Sequence, residues 1–169
     1  MKNYLAILGI VMTSMFFASC KKSSTEPVVY SFKTKIDGAW VTFSDAKFTI
    51  SPNTADPAIS DLLINAGTEQ NNISIFIQSA VSYAAGSFNT TDSIPYSMQI
   101  SLFKDENNYL KVFGIAGPAT GTQPYYVVNI TAITATEIRG TITGNYLYDN
   151  YDAESINLTE GEFVAVKTQ

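Results

Sequence analysis

Apolar and polar side chains alternate along much of the chain after residue 28. In the segments Ile73–Ile77 and Met98–Leu102, every second residue is Ile, Leu or Met. A period of two places successive side chains on opposite faces of a strand and is typical of antiparallel strands with one buried face. Turn-forming Gly, Pro, Asn and Asp residues recur between these segments. The pattern predicts an all-β fold, an antiparallel β-sandwich or flattened β-barrel of about ten short strands.

The alternation also predicts where the strands lie. Ile138, Ile142 and Tyr146 are spaced to share one face of a single strand, and Glu160-Gly161 indicates a bulge in the last strand. The predicted strands cover residues 28–37, 39–43, 46–50, 60–67, 72–79, 96–103, 109–116, 124–133, 137–147 and 155–166.

The first nineteen residues differ from the rest and are typical of an export signal. Lys2 precedes the apolar run Tyr4–Ala18, which is shorter than the ~20 residues that a permanent membrane-spanning helix needs. Phe17-Ala18-Ser19-Cys20 resembles a bacterial lipobox, in which cleavage occurs before a cysteine that is then acylated. The alternative is an ordinary signal peptide followed by a free cysteine. We therefore expect a signal peptide over 1–19, the acylated Cys20 with a tether over 20–27, and a single β domain over 28–169.

Charge and cysteine content limit the cellular locations and the partners that we expect for this protein. The chain has 10 basic and 15 acidic residues, a net charge of -5, and a single cysteine. This balance disfavours a nucleic-acid partner, because phosphate binding needs a basic stripe. The polar tether Lys21–Pro27 spans at most ~25 Å. We expect a lipid-anchored cell-envelope protein at the outer membrane, with its periplasmic or external orientation left open.

Two short motifs resemble a known group of proteins. Phe32, Ile36-Asp37-Gly38 and Trp40 are shared with the opening motif of many small Bacteroidota-type lipoprotein domains of unknown function. The segments Ile138–Gly144 and Leu158–Phe163 are similar to the ending of those domains, although Ile142 stands where they usually have phenylalanine. The resemblance implies an extracytoplasmic β domain without an assigned activity.

Catalytic and metal-binding candidates are few. The chain has no histidine, which excludes Ser-His-Asp and Cys-His catalysis and histidine-ligated metals. Asp149, Asp152 and Glu154 form the densest acidic segment, which we expect to be a solvated turn, with a calcium site as the alternative. We expect no enzymatic activity and no required cofactor, and keep a carboxylate-dependent hydrolase or a calcium module as the third hypothesis.

Aromatic residues are the stronger candidates for binding. Tyr146 and Tyr148 are predicted to share a strand face, whereas Tyr125 and Tyr126 must point to opposite faces, so one of them is predicted to be exposed. Exposed tyrosines can stack on sugars or form a protein-binding patch, and the alternative is cross-strand packing in the core. Trp40 is expected to pack in the core, with a ligand contact as its alternative.

Ser93 is a predicted modification site. Asp92-Ser93-Ile94 resembles an acceptor tripeptide for O-glycosylation of exported proteins at Ser93.

The anchor, the short tether and the tyrosines favour a non-enzymatic module that binds a ligand, a glycan or a protein at the membrane surface. The alternative is a structural or accessory subunit of an envelope complex.

Overall fold

The computed structural model describes residues 27–80, 82–89, 97–106, 109–116, 126–149 and 154–168. In these residues the fold is all-β, which confirms the predicted class. The twelve strands found there are β1 (Ser31–Ile36), β2 (Ala39–Ser44), β3 (Lys47–Pro52), β4 (Ser60–Gly67), β5 (Asn71–Ser79), β6 (Gly86–Asn89), β7 (Ser97–Glu106), β8 (Tyr109–Ala116), β9 (Tyr126–Ile133), β10 (Glu137–Gly144), β11 (Tyr146–Asp149) and β12 (Ser155–Lys167). Within the same residues, no helix is long and apolar enough to cross a membrane.

Two of these strands differ from the sequence-based prediction. The short strand β6 was not predicted, because Phe88 is its one large apolar residue and no alternation marks it. The predicted strand 137–147 is divided between β10 and β11 at Asn145, whose carbonyl accepts a hydrogen bond from the Leu158 N–H at 2.7 Å. The interruption shifts the alternation, so Ile142 is buried but Tyr146 is exposed. The prediction that these two side chains share a face is wrong.

Strand β12 organises the sheet because it pairs with four others. It pairs in antiparallel fashion with β1, β10 and β11, and in parallel with β3 over Val166 and Lys167. From β3 the order continues through β4, β5, β7 and β8 to β11, which returns to β12. The sheet therefore curls back on itself. Among the described strands, β12–β3 is the one pairing that departs from the predicted antiparallel arrangement.

The inward positions of the alternating strands form one hydrophobic core. Ile73, Ile75 and Ile77 of β5 are each 0% exposed, as their spacing predicts. The rings of Phe32 and Phe163 stack in this core with centroids 5.6 Å apart, and join β1 to β12.

The predicted irregularity at Glu160-Gly161 is confirmed. Thr34 lies opposite Gly161 but Ile36 lies opposite Leu158, so β12 carries one more residue than β1 at this point. Position 161 has no room for a side chain, because a Cβ at Gly161 would lie 2.7 Å from the Lys33 carbonyl oxygen. The sequence pattern located the bulge, and the close approach of the β1 backbone is the reason for the glycine at position 161.

Tyr83, between β5 and β6, forms hydrogen bonds to the backbone of β4 and β5. Its hydroxyl oxygen lies 2.7 Å from the Ser60 carbonyl oxygen and 2.6 Å from that of Ile77, and it accepts the Leu62 N–H at 3.1 Å. Burial, with a smaller contribution from the charge of Asp61, raises the pKa of the Tyr83 phenol well above its usual range. The neutral hydroxyl is thus the form that the fold favours.

We expect Tyr83→Phe to lower the free energy of unfolding by about 1–3 kcal/mol, because backbone groups lose a buried partner. The raised pKa also gives the effect a pH dependence. The stabilisation is fully present below the ordinary tyrosine pKa of about 10 and is lost as the pH rises above it. Urea denaturation at neutral and alkaline pH measures both effects. The exposed Tyr146→Phe is the matched control, and equal stabilities for the two variants would contradict this role.

Candidate functional site

The hairpin of β1 and β2 places Trp40 on the surface. Asp37 and Gly38 form the two-residue turn, with φ of 48° and 84°, as a type I′ turn requires. The Asp37 carboxylate accepts the Asn157 N–H at 2.9 Å, which fixes the turn against β12. The predicted turn is therefore confirmed, and its geometry determines which side chains of β2 face outward.

The expectation that Trp40 packs in the core is wrong. The turn pairs Ile36 with Ala39, so Val41 packs against the core and Trp40 faces the other side. Trp40 is 51% exposed. The Lys33 ammonium lies 4.9 Å from the centroid of its ring, a cation–π contact. A tryptophan on a hydrogen-bonded strand, held by a cross-strand lysine, is an ordered aromatic surface.

Charged side chains of both signs surround this tryptophan. Lys35 Nζ lies 3.3 Å from Glu160 Oε1, and Lys33 is paired in register with Glu162. The Lys35–Glu160 pair is partly solvated and contributes no more than about 1 kcal/mol to stability. These pairs position side chains that can donate and accept hydrogen bonds beside the indole ring.

The outward side chains border two adjoining depressions of about 450 Å³ and 300 Å³. Both depressions touch Lys33, Thr141 and Glu162, and the larger one reaches Trp40. We call this surface the Trp40 face. It consists of Lys33, Trp40, Thr141, Thr143, Glu160 and Glu162.

Tyr146 and Tyr148 form a second aromatic surface, the tyrosine pair. Both are 47% exposed, and their ring centroids lie 6.5 Å apart. This confirms that the two side chains share a face of β11. Each ring remains half accessible for contact with another molecule.

Tyr126, one of the predicted ligand-binding residues, is buried in the core. It is 0% exposed, and burial, with the nearby Tyr148 adding to it, raises the pKa of its phenol well above the usual range. The ring packs directly beneath Gly144, where an added Cβ would meet it at 2.0 Å. Tyr126 is thus a core residue. Tyr125, its neighbour in the predicted set, lies outside the described residues.

The remaining sequence candidates are not brought together in the described part of the chain. The Glu154 side chain is exposed. Asp149 ends β11, and only its backbone is described, while Asp152, Ser93 and Cys20 lie outside the described residues. Among the side chains described, no group of three or more His, Cys, Asp or Glu is placed to hold a metal ion.

Sequence reasoning identified Trp40 but missed the residues around it. Lys33 and Lys35 could have been found, because the two-residue turn fixes the register and puts both lysines on the outward side with Trp40. Glu160 and Glu162 could not, because they reach this surface only through the pairing of β1 with β12.

Comparison with known proteins identifies no relative. No family model matches the chain, and no curated protein or solved structure is significantly similar to it. The side chains of the Trp40 face and of the tyrosine pair are therefore the observations on which a functional hypothesis can be built.

Proposed function

We propose that this protein is a non-enzymatic binding module of the cell envelope and that it binds a glycan through the Trp40 face. One observation carries the proposal: an indole with half of its surface exposed lies on a paired strand next to a depression of about 450 Å³. Large aromatic side chains contribute strongly to binding when they are held rigidly. The strand and the Lys33 contact supply that rigidity.

The chemistry of the Trp40 face suits a sugar. A pyranose ring has an apolar C–H face, which can stack on an indole, and a rim of hydroxyl groups. Glu160 and Glu162 accept hydrogen bonds from hydroxyl groups, Lys33 donates them, and Thr141 does both. An apolar platform bordered by donors and acceptors matches this amphipathic shape.

The anchor would determine where this binding occurs. Acylation of Cys20 with two or three chains would hold the protein stably at a membrane. The tether of seven residues, Lys21–Pro27, would then keep the domain within ~25 Å of the lipid attachment. We therefore propose an outer-membrane lipoprotein that engages glycans close to the membrane surface.

Trp40 is the single tryptophan of the chain, so it is also the reporter for the test. Titration with oligosaccharides from the envelope of the source cell and from common plant and host polysaccharides should change its fluorescence in a saturable way. Trp40→Ala should weaken the same binding, measured by calorimetry, by about 2 kcal/mol or about thirtyfold. Tyr146→Ala, which removes an aromatic ring of the tyrosine pair, should leave it unchanged. Equal losses in both variants, or no loss in either, would contradict the assignment to the Trp40 face.

The tyrosine pair supports a second candidate function, an accessory subunit that docks beside another envelope protein. Tyrosine is enriched in protein interfaces, and two adjacent half-exposed rings supply a compact contact surface. Cross-linking in cells, followed by capture of the protein, should recover one defined neighbour. Tyr148→Ala should remove that neighbour and leave glycan binding intact.

A further inference from the structure

A cleft of about 580 Å³ runs along one edge of β2. Its lining includes four consecutive residues of this strand, Val41–Ser44. Successive side chains of a strand point to opposite faces, so a space that touches four residues in a row lies beside the strand rather than over one face. The turn between β4 and β5, Leu102 of β7 and Ile156 of β12 also line the cleft.

The backbone of β2 directs hydrogen-bonding groups towards this cleft. Among the described strands, β2 pairs with β1 alone. The two-residue turn makes Ile36 and Ala39 a hydrogen-bonded pair, and the backbone groups of an antiparallel strand point alternately towards and away from the partner. The N–H and C=O groups of Thr42 and Ser44 are therefore directed away from β1, on the side of the cleft that both residues line.

Strand β2 lacks the features that commonly protect an unpaired edge from another strand. Natural edge strands are often very short, or carry charged side chains or a proline. β2 has six residues, Ala-Trp-Val-Thr-Phe-Ser, with neither a charge nor a proline. β6, which also pairs with a single described strand, has only four residues. The sequence of β2 thus permits pairing with a further extended segment.

The charged residues of the cleft favour an uncharged occupant. The Asp37 carboxylate accepts the Asn157 N–H at 2.9 Å. Lys104 already takes part in an interaction within the protein. The other lining residues are apolar or neutral, among them Phe43 and Thr68. A further charge without a partner would be costly to bury here, so the cleft complements a neutral segment.

We infer that β2 binds an extended peptide segment of a partner protein by strand addition, with two apolar side chains of the peptide in the cleft. In either strand direction, the peptide residue opposite Thr42 has its side chain on the same face as Trp40. Its two neighbours are directed into the cleft, as Val41 and Phe43 are. The peptide therefore has the pattern apolar, small polar, apolar, without a charge. This inference does not depend on the glycan proposal.

The blocked pentapeptide acetyl-Ser-Val-Thr-Val-Ser-amide is the probe, and amide hydrogen exchange followed by NMR is the measurement. In the free protein, the Thr42 and Ser44 amides should exchange rapidly, whereas those of Val41 and Phe43, which are directed towards β1, should exchange slowly. With the peptide at 100 times its dissociation constant, exchange at Thr42 and Ser44 should slow by about a hundredfold. Unchanged exchange of these two amides at millimolar peptide would overturn the inference.

Altered peptides test the side chains and the strand geometry separately. Replacing both valines of the probe by serine should weaken binding by about a hundredfold, tenfold for each apolar side chain removed from the cleft. A methyl group is also placed on the backbone nitrogen of the central threonine or of a flanking valine. Alternate amides of an added strand face β2, so one of these two isomers should bind and the other should not. Equal binding of the two isomers, or of the serine peptide and the probe, would contradict strand addition.

A protein variant locates the site on the edge. Thr42→Pro removes an outward N–H without removing a hydrogen bond to β1, and should abolish peptide binding. Trp40→Ala should keep the slowed exchange at Thr42 and Ser44, which separates this inference from the glycan proposal. Peptide binding by a folded Thr42→Pro variant would overturn the location. Slow exchange at Thr42 and Ser44 in concentrated protein without peptide, with a doubled mass in sedimentation, would also overturn the inference, because the occupant would then be a second copy of this chain.

Discussion

Replacing Phe32 by alanine is expected to lower the free energy of unfolding by about 3–5 kcal/mol. Phe32 is 0% exposed and stacks on Phe163, and its pairing in register with Phe43 and Phe163 links β2, β1 and β12. The substitution removes an aromatic ring and leaves a cavity that rigid strands cannot close. A domain of ordinary stability has only ~5–15 kcal/mol in total, so the variant would lie near the limit of folding.

Urea denaturation followed by circular dichroism measures this loss. Leu63→Ala is the control, because Leu63 is 38% exposed and its truncation removes less buried surface than that of Phe32. We expect the control to lower the free energy of unfolding by about 1 kcal/mol, well below the effect at Phe32. A similar effect of the two substitutions would show that Phe32 and Phe163 are not central to the core.

Replacing Cys20 by alanine is expected to abolish acylation completely, because the thiol is the proposed attachment point and the chain has no other cysteine. Cells grown with an alkyne-labelled fatty acid should label the unmodified protein and leave the Cys20→Ala variant unlabelled. Ser19→Ala keeps a small residue before the cysteine and should be labelled normally. Absence of label from the unmodified protein would favour the alternative, an ordinary signal peptide.

The alternation along the chain predicted most of the strands because it depends on local sequence alone. Strands β5 and β7 bury the apolar residues that repeat at every second position over Ile73–Ile77 and Met98–Leu102. Such a pattern does not mark a strand like β6, which buries one ring, nor the break at Asn145. That break is defined by a hydrogen bond from Leu158, on a different strand.

The candidate site was less predictable than the fold for a related reason. Trp40 is a large apolar residue, and apolarity alone favours a core position. Its exposure follows from the register of the β1–β2 hairpin, and the position of Glu160 beside Lys35 follows from a pairing between distant segments. The cleft lined by Val41, Leu102 and Ile156 has no sequence signal, because its walls come from four separate segments of the chain.

The central position of β12 has a consequence for the time course of folding. The Thr34 hydroxyl donates to the Glu160 carbonyl 126 positions further along the chain, and β1, β3, β10 and β11 all complete their pairing on this last strand. Folds dominated by such distant pairings form slowly, in milliseconds to seconds. During synthesis, the earlier strands cannot close the sheet until β12 has been made. The hairpins from β3 to β8 can pair earlier, but closure of the sheet waits for β12, the last of the described strands.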